Sequence, residues 1–197
     1  MNPALKLAEL LYRGINRARR SLYRLGVLRA KKLSRPVISI GNVSTGGAGK
    51  TPATIAVARF LLGRGYRVAV LTRGYGRAGA GGRVTALDPS RFGDEPVVIK
   101  KQLPNVDVMV GSNRYASAHE TDADIYVLDD GFQHLQLHRD VDIVIDVPHP
   151  RFRREGNSAL RHADLVLPRN LRLEIPAQLH GKRLFAFAGP LHDRGER

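Results

Sequence analysis

The apolar positions of this chain fall into short, nearly unbroken runs separated by polar, glycine-rich turns. Runs at 37–40, 66–72, 107–110, 124–129, 141–146, 165–167 and 184–188 are rich in valine, isoleucine and leucine, the pattern of strands covered on both faces. Between them, 52–62 repeats apolar residues at helical spacing and opens on Pro52, which is tolerated in a first helical turn. A second helix is expected around 115–120. Strands alternating with crossover segments predict an α/β fold: a mostly parallel sheet with helices on both faces. In such sheets ligands sit beyond the carboxyl ends of the strands, so the polar residues after each run are the first candidates for chemistry.

Residues 1–34 carry another periodicity. Ala4, Leu7, Leu11, Ile15, Ala18, Leu22 and Leu25 recur at helical spacing beside an arginine-rich face. Residues 1–35 hold ten basic side chains against Glu9 alone, which is +9 of the net charge of +14. A basic amphipathic helix of this kind suits an anionic membrane surface, with the stripe in the acyl boundary and the arginines among head groups. The same pattern also fits a helix that packs its stripe on the domain and leaves its arginines solvated. No recognised nucleic-acid motif accompanies the charge, so no nucleic-acid partner is expected. At 197 residues the chain is long enough for one domain with a core, and no apolar run approaches a membrane span. Lys6, Glu9 and Arg13 interrupt the first apolar positions, so no secretory leader is expected. The absence of cysteine excludes disulfides and thiolate metal sites, and no zinc is expected.

The densest candidate chemistry follows the first strand run, at Ser44-Thr45-Gly46-Gly47-Ala48-Gly49-Lys50-Thr51. A strand, a glycine-rich turn, Gly-Lys-Thr and a helix is the arrangement that cradles a polyphosphate. Backbone N–H groups and the helix N-terminus face the anion, the lysine reaches its terminal phosphates, and the threonine hydroxyl serves Mg²⁺. Ser44 stands where the strict pattern has glycine. Three further blocks carry candidate polar residues. Arg73-Gly-Tyr-Gly-Arg77 leads into a glycine-rich stretch, 77–83, expected to be a loop; Arg73 is a candidate phosphate contact, or part of a plain turn. Gly93-Asp94-Glu95-Pro96 is expected to be a polar loop whose carboxylates either take a proton, hold Mg²⁺ or are simply solvated. Asp129 and Asp130 end a strand run, as a Mg²⁺-holding acid of a phosphate-loop site does, or as a strand cap does. His134, four residues on, either orients a substrate or carboxylate or makes a structural hydrogen bond.

In order and spacing, Val37–Pro52, Thr72-Arg-Gly-Tyr-Gly76, Gly93-Asp-Glu-Pro96 and Leu128-Asp-Asp-Gly-Phe-Gln-His134, with Arg139-Asp140 behind, resemble the tetraacyldisaccharide 4′-kinase family of lipid A biosynthesis. The resemblance implies a P-loop NTPase-like kinase using ATP and Mg²⁺. Such a kinase phosphorylates the 4′-hydroxyl of an acylated disaccharide 1-phosphate at the cytoplasmic face of the bacterial inner membrane. It implies that Asp94 receives the hydroxyl proton and that Lys50 and the loop amides hold the phosphates. Thr51 with Asp129 or Glu95 would serve Mg²⁺, and Asp130 and His134 would shape the site. The expected organisation is a membrane-associating helix at 1–34, a kinase core at 35–190 and a tail at 191–197 where the family's second lobe begins. That lobe carries the histidine that partners the base; His192 stands in another context and does not inherit the role. Two alternatives stay open: a non-catalytic or truncated nucleotide-binding remnant, and a membrane-associated P-loop ATPase switch.

Overall fold

The computed structural model describes residues 3–44, 49–79, 81–147 and 152–168, with the side chains of the first helix described from Lys6 onward. The strand expected at 184–188 and the tail at 191–197 lie outside the described residues. The strands are β1 (Val37–Asn42), β2 (Val68–Thr72), β3 (Gly82–Arg83), β4 (Asp107–Val110), β5 (Ile125–Asp129), β6 (Val141–Asp146) and β7 (Leu165–Pro168). They form one sheet in the order β3-β4-β2-β5-β1-β6-β7. Every pairing is parallel except that of β3, which lies antiparallel on β4. The helices are α1 (Pro3–Arg24), α2 (Lys50–Leu62), α3 (Pro89–Phe92), α4 (Asp94–Gln102) and α5 (Arg114–His119), and a 3₁₀ segment covers Asn157–His162.

Alternation along the strands decides what each face buries. Val68 and Val70, Val108 and Val110, and Ile125 and Val127 point into one core with Ala53, Ala58 and Leu61 of α2 and Val97 and Ile99 of α4. Their neighbours Ala69, Leu71, Met109, Tyr126 and Leu128 point into a second core with Ala118 of α5 and with Leu33 and Leu137. Helices thus cover both faces, as the continuous apolar runs require. Leu61, Ile40, Leu71 and Leu128 are fully buried, each worth about 1.5–3 kcal/mol of transfer free energy.

Two expectations are corrected, and one alternative left open for α1 is removed. Gly93-Asp-Glu-Pro96 is not a loop: Gly93, at φ 92°, ends α3, and Asp94-Glu-Pro opens α4. Two acids and a proline suit a first turn, where the N–H groups lack partners and the dipole favours negative charge. The end of the 77–83 stretch is ordered as β3 against β4. The apolar stripe of α1 does not pack on the domain. Leu7, Leu11 and Ile15 are about 60% exposed, whereas Asn16 and Arg20, on the opposite side, are buried. The helix docks by its polar side and presents its apolar side outward.

Candidate functional site

β1 and β5 are neighbours, with Ile40 paired to Asp129, so the segments leaving both strands meet at one edge of the sheet. Gly41 lets them close up: a Cβ built there would stand 2.4 Å from Phe132 Cβ and 2.8 Å from its backbone nitrogen. Beyond β1, Ser44 is buried and bridges antiparallel to Arg153. Thr45, Gly46, Gly47 and Ala48 lie outside the described residues. The chain re-enters at Gly49, which caps α2 in the left-handed conformation (φ 86°, ψ 19°). Only glycine adopts that conformation without steric cost. Ala53 donates its N–H to the Gly49 carbonyl. The N–H groups of Lys50 and Thr51 therefore have no acceptor within the helix and face outward at its positive end.

Lys50 is buried, and its Nζ lies 3.6 Å from Asp130 Oδ1. Asp130 has φ 50°, the one positive value at a non-glycine among the described residues. Arg154 Nη1 donates to its other carboxylate oxygen at 3.0 Å. Asp130 is thus a counter-ion shared by Lys50 and Arg154, and an incoming phosphate can compete for both cations. Its neighbour Asp129 is buried and accepts from Thr54 Oγ1 at 2.8 Å and Thr72 Oγ1 at 3.4 Å. Burial pushes its carboxyl up to about 6, and the charges of Glu95 and Asp130 add to the effect. Lys50 acts in the opposite sense, and a cation bound in contact with Asp129 would favour its charged form.

Asp94 and Glu95 are exposed on the first turn of α4. The turn after β2 holds them in place. A Cβ on Gly93 would meet the Tyr75 carbonyl at 2.8 Å, and one on Gly74 would meet the Phe92 carbonyl at 2.7 Å. Arg-Gly-Tyr-Gly and Gly-Asp-Glu-Pro are thus two turns that touch through backbone, which explains their glycines.

His134 does not orient a carboxylate. Its Nδ1 faces Arg114 Nη1 at 3.1 Å, and since arginine can only donate, the ring accepts. Burial, then the charges of Arg114 and Arg139, push its pKa down to about 3, so the ring is neutral at physiological pH. Arg114 is itself buried; desolvation, then Arg73, lower it to about 10. Its Nε has no hydrogen-bond acceptor among the described residues, leaving an unmet donor beside the carboxylates.

Sequence reasoning missed Arg114, Gln133, Arg154 and Glu155. Glu155 is buried, accepts from Arg20 Nη2 at 2.8 Å and from Gln133 Nε2 at 3.0 Å, and Gln133 also donates to the Asn42 carbonyl. Asn16 Nδ2 donates to the Arg154 carbonyl. These bonds tie α1 to the site. The available signal was small: Glu155 is the single acid between Asp146 and Asp164.

A lysine and free amides at a helix start, facing acids at the next strand's end, define a phosphate-binding α/β protein of the P-loop type. Known proteins narrow this further. The family model of tetraacyldisaccharide-1-P 4′-kinase matches residues 1–186, and the chain belongs to that family. It is 41% identical to the tetraacyldisaccharide 4′-kinase of Pelobacter propionicus over 81% of its own length and 50% of the relative. It is 43% identical to that of Anaeromyxobacter dehalogenans, over 92% and 53%. The crystal structure of LpxK from Aquifex aeolicus in complex with ATP superposes with a TM-score of 0.77 at 34% identity, covering 91% of this chain and 62% of that one. The chain spans about half the length of these curated relatives.

Proposed function

We propose that this chain binds ATP at the start of α2 and forms the nucleotide-binding half of a kinase. The reaction is transfer of the γ-phosphoryl group to the 4′-hydroxyl of tetraacyldisaccharide 1-phosphate in lipid A biosynthesis. The observation that carries the reading is the Lys50–Asp130 pair at the mouth of the Gly49–Lys50 turn. ATP in complex with the Aquifex relative supports the choice of nucleotide.

In this reading the free N–H groups of Lys50 and Thr51 bind phosphate oxygens, with the amides of Thr45, Gly46, Gly47 and Ala48 completing the loop. Lys50 exchanges Asp130 for the β- and γ-phosphates, and Arg114 adds positive charge where negative charge develops. Asp94, exposed on the first turn of α4, takes the proton of the attacking hydroxyl. The acceptor oxygen bonds to the γ-phosphorus as the bond to the leaving ADP oxygen breaks. Neutral His134 is a positioning residue that holds Arg114 and transfers no proton.

Mg²⁺ fits these residues. Among the described residues no group of three acidic or histidine side chains forms a metal cage. Mg²⁺ is held by one or two carboxylates and completes its shell with water and phosphate oxygens. Thr51, Asp129 and Glu95 are the oxygen donors that would hold it, and a cation would offset the desolvation of the Asp129 carboxylate. When bound, Mg²⁺ neutralises charge on the phosphates.

The exposed stripe of α1 supports peripheral attachment to an anionic membrane, at the cytoplasmic face of the inner membrane where this lipid substrate would be met. No described helix is long and apolar enough to cross a membrane.

The test is phosphate transfer from γ-labelled ATP to tetraacyldisaccharide 1-phosphate in detergent micelles, with ATP binding measured alongside. Lys50→Ala is expected to abolish ATP binding, and Asp94→Ala to leave binding intact while removing transfer. Wild-type binding without transfer would assign the chain the nucleotide half of the reaction alone. Unchanged ATP affinity in Lys50→Ala would sink the assignment.

A further inference from the structure

Beyond Lys50, the buried positions of α2 are apolar with one exception. Ala53, Ile55, Val57, Ala58 and Leu61 enter the core, and Thr54 is fully buried beside them. A threonine inside a helix commonly turns its hydroxyl back to a carbonyl one turn earlier. Here the hydroxyl leaves its own helix: Thr54 Oγ1 donates to Asp129 Oδ1 at the end of β5, 2.8 Å away. A hydroxyl has one proton, so this bond takes its whole donor capacity. Thr72, the last residue of β2, approaches the other carboxylate oxygen, Oδ2, at 3.4 Å, a long and weak contact. The two oxygens are therefore held unequally. Oδ1 carries a full hydrogen bond, and Oδ2 keeps lone pairs to give to another ligand.

The bond also joins two parts of the site. Thr54 stands one turn along α2 from Lys50, at the end of the helix whose free amides face outward. Asp129 stands at the end of β5. A cation shared between a phosphate and a carboxylate needs both at a fixed spacing, because Mg²⁺ accepts little departure from octahedral geometry. Lys50 does not set that spacing for Asp129, since its ammonium pairs with Asp130. An apolar side chain would suit the packing around Thr54 as well, so the hydroxyl is explained by the bond that it makes.

We propose that Thr54 is a positioning residue for phosphoryl transfer: its hydroxyl holds Asp129 by Oδ1 and leaves Oδ2 for the divalent cation of the bound nucleotide. The role rests on the nucleotide and Mg²⁺ readings given above. The test measures ADP affinity of the full chain by calorimetry, in excess EDTA and in excess Mg²⁺. Wild type is expected to bind ADP more tightly with Mg²⁺. Thr54→Val keeps the branched shape and removes the donor. It is expected to lose about tenfold of the Mg²⁺ gain, the usual effect of freeing a metal-binding carboxylate from its hydrogen-bond partner, while binding metal-free ADP as wild type does. Thr54→Ser restores the donor and is expected to recover the gain. Thr72→Val reaches the same carboxylate from its other oxygen and, having removed the longer contact, is expected to lose less. A full Mg²⁺ gain in Thr54→Val overturns the role, as does a Thr54→Ser protein that fails to recover it or a larger loss in Thr72→Val than in Thr54→Val. Equal weakening of ADP with and without Mg²⁺ also overturns it and makes the bond a purely structural one. Wild type that binds ADP equally in both solutions removes the cation reading, and wild type that binds no ADP removes the nucleotide reading; either result takes this role with it.

Discussion

Asp129 is a carboxyl group that folding removes from water and supplies with two hydroxyl donors but, among the described residues, no cation in contact. Its pKa rises from 3.8 to about 6. An acid with a raised folded pKa favours the folded state while protonated. This contribution is fully present below about pH 4 and is lost as pH rises through about 6. A rise of that size corresponds to roughly 3 kcal/mol. Asp129→Asn should therefore be more stable than wild type at pH 7.5 without nucleotide, by up to about 3 kcal/mol, and gain little at pH 4. Urea unfolding at the two pH values checks this; an equal gain at both would mean that the charge is not the cause. Asp129 and Asp130 were legible as acids at a strand end. Their division of labour was not, because it depends on which of two adjacent carboxylates the backbone turns toward Lys50, and Asp130 does so at φ 50°.

At the scale of elements, the β runs were legible because strands buried on both faces carry an unambiguous apolar signal; β4 and β6 have the bounds read from sequence. α4 was not. Val97-Val98-Ile99 reads locally as strand, and its helical state is set by the turn at Gly93 and by burial of Val97 and Ile99 beneath the sheet. Glycines likewise separate only in three dimensions. Gly41→Ala should cost about 1–3 kcal/mol, since its methyl has nowhere to go but into Phe132. Gly14→Ala, in the interior of α1 with open space around it, should be neutral or stabilising by about 0.5–1 kcal/mol. Denaturant midpoints at constant m-value compare the two; a neutral Gly41→Ala would show that β1 and the Phe132 segment can part.

Over the whole molecule, α1 is held by a buried ion pair that also reaches the site. Arg20 bonds Glu155 and lies over the Phe132 ring at 4.5 Å, and Glu155 holds Gln133 against the carbonyl of Asn42 at the end of β1. Arg20→Ala leaves Glu155 buried without its cation, which should cost about 3–5 kcal/mol. Hydrogen exchange should then rise along α1 first and in the segment around Phe132 next. Uniform acceleration across the sheet would instead mean that the pair supports the whole fold. Leu11→Ser/Ile15→Ser should leave stability unchanged and weaken vesicle binding, because both side chains already face solvent. A drop in Tm with vesicle binding preserved would show that the stripe packs on the protein.

The sequence by itself determined the parallel α/β sheet, the basic N-terminal helix, the helix that follows the glycine-rich turn and the acids at the end of β5. Each is written in local periodicity or in residues adjacent in the chain. Only the tertiary structure decided which side of α1 docks. An apolar stripe can meet a domain or a membrane equally well, and the choice was made by Glu155, far along the chain, capturing Arg20. The same holds for Arg114 and Arg154, single arginines in a chain with many, whose closeness to His134 and Asp130 comes from strand order and from no pattern along the sequence.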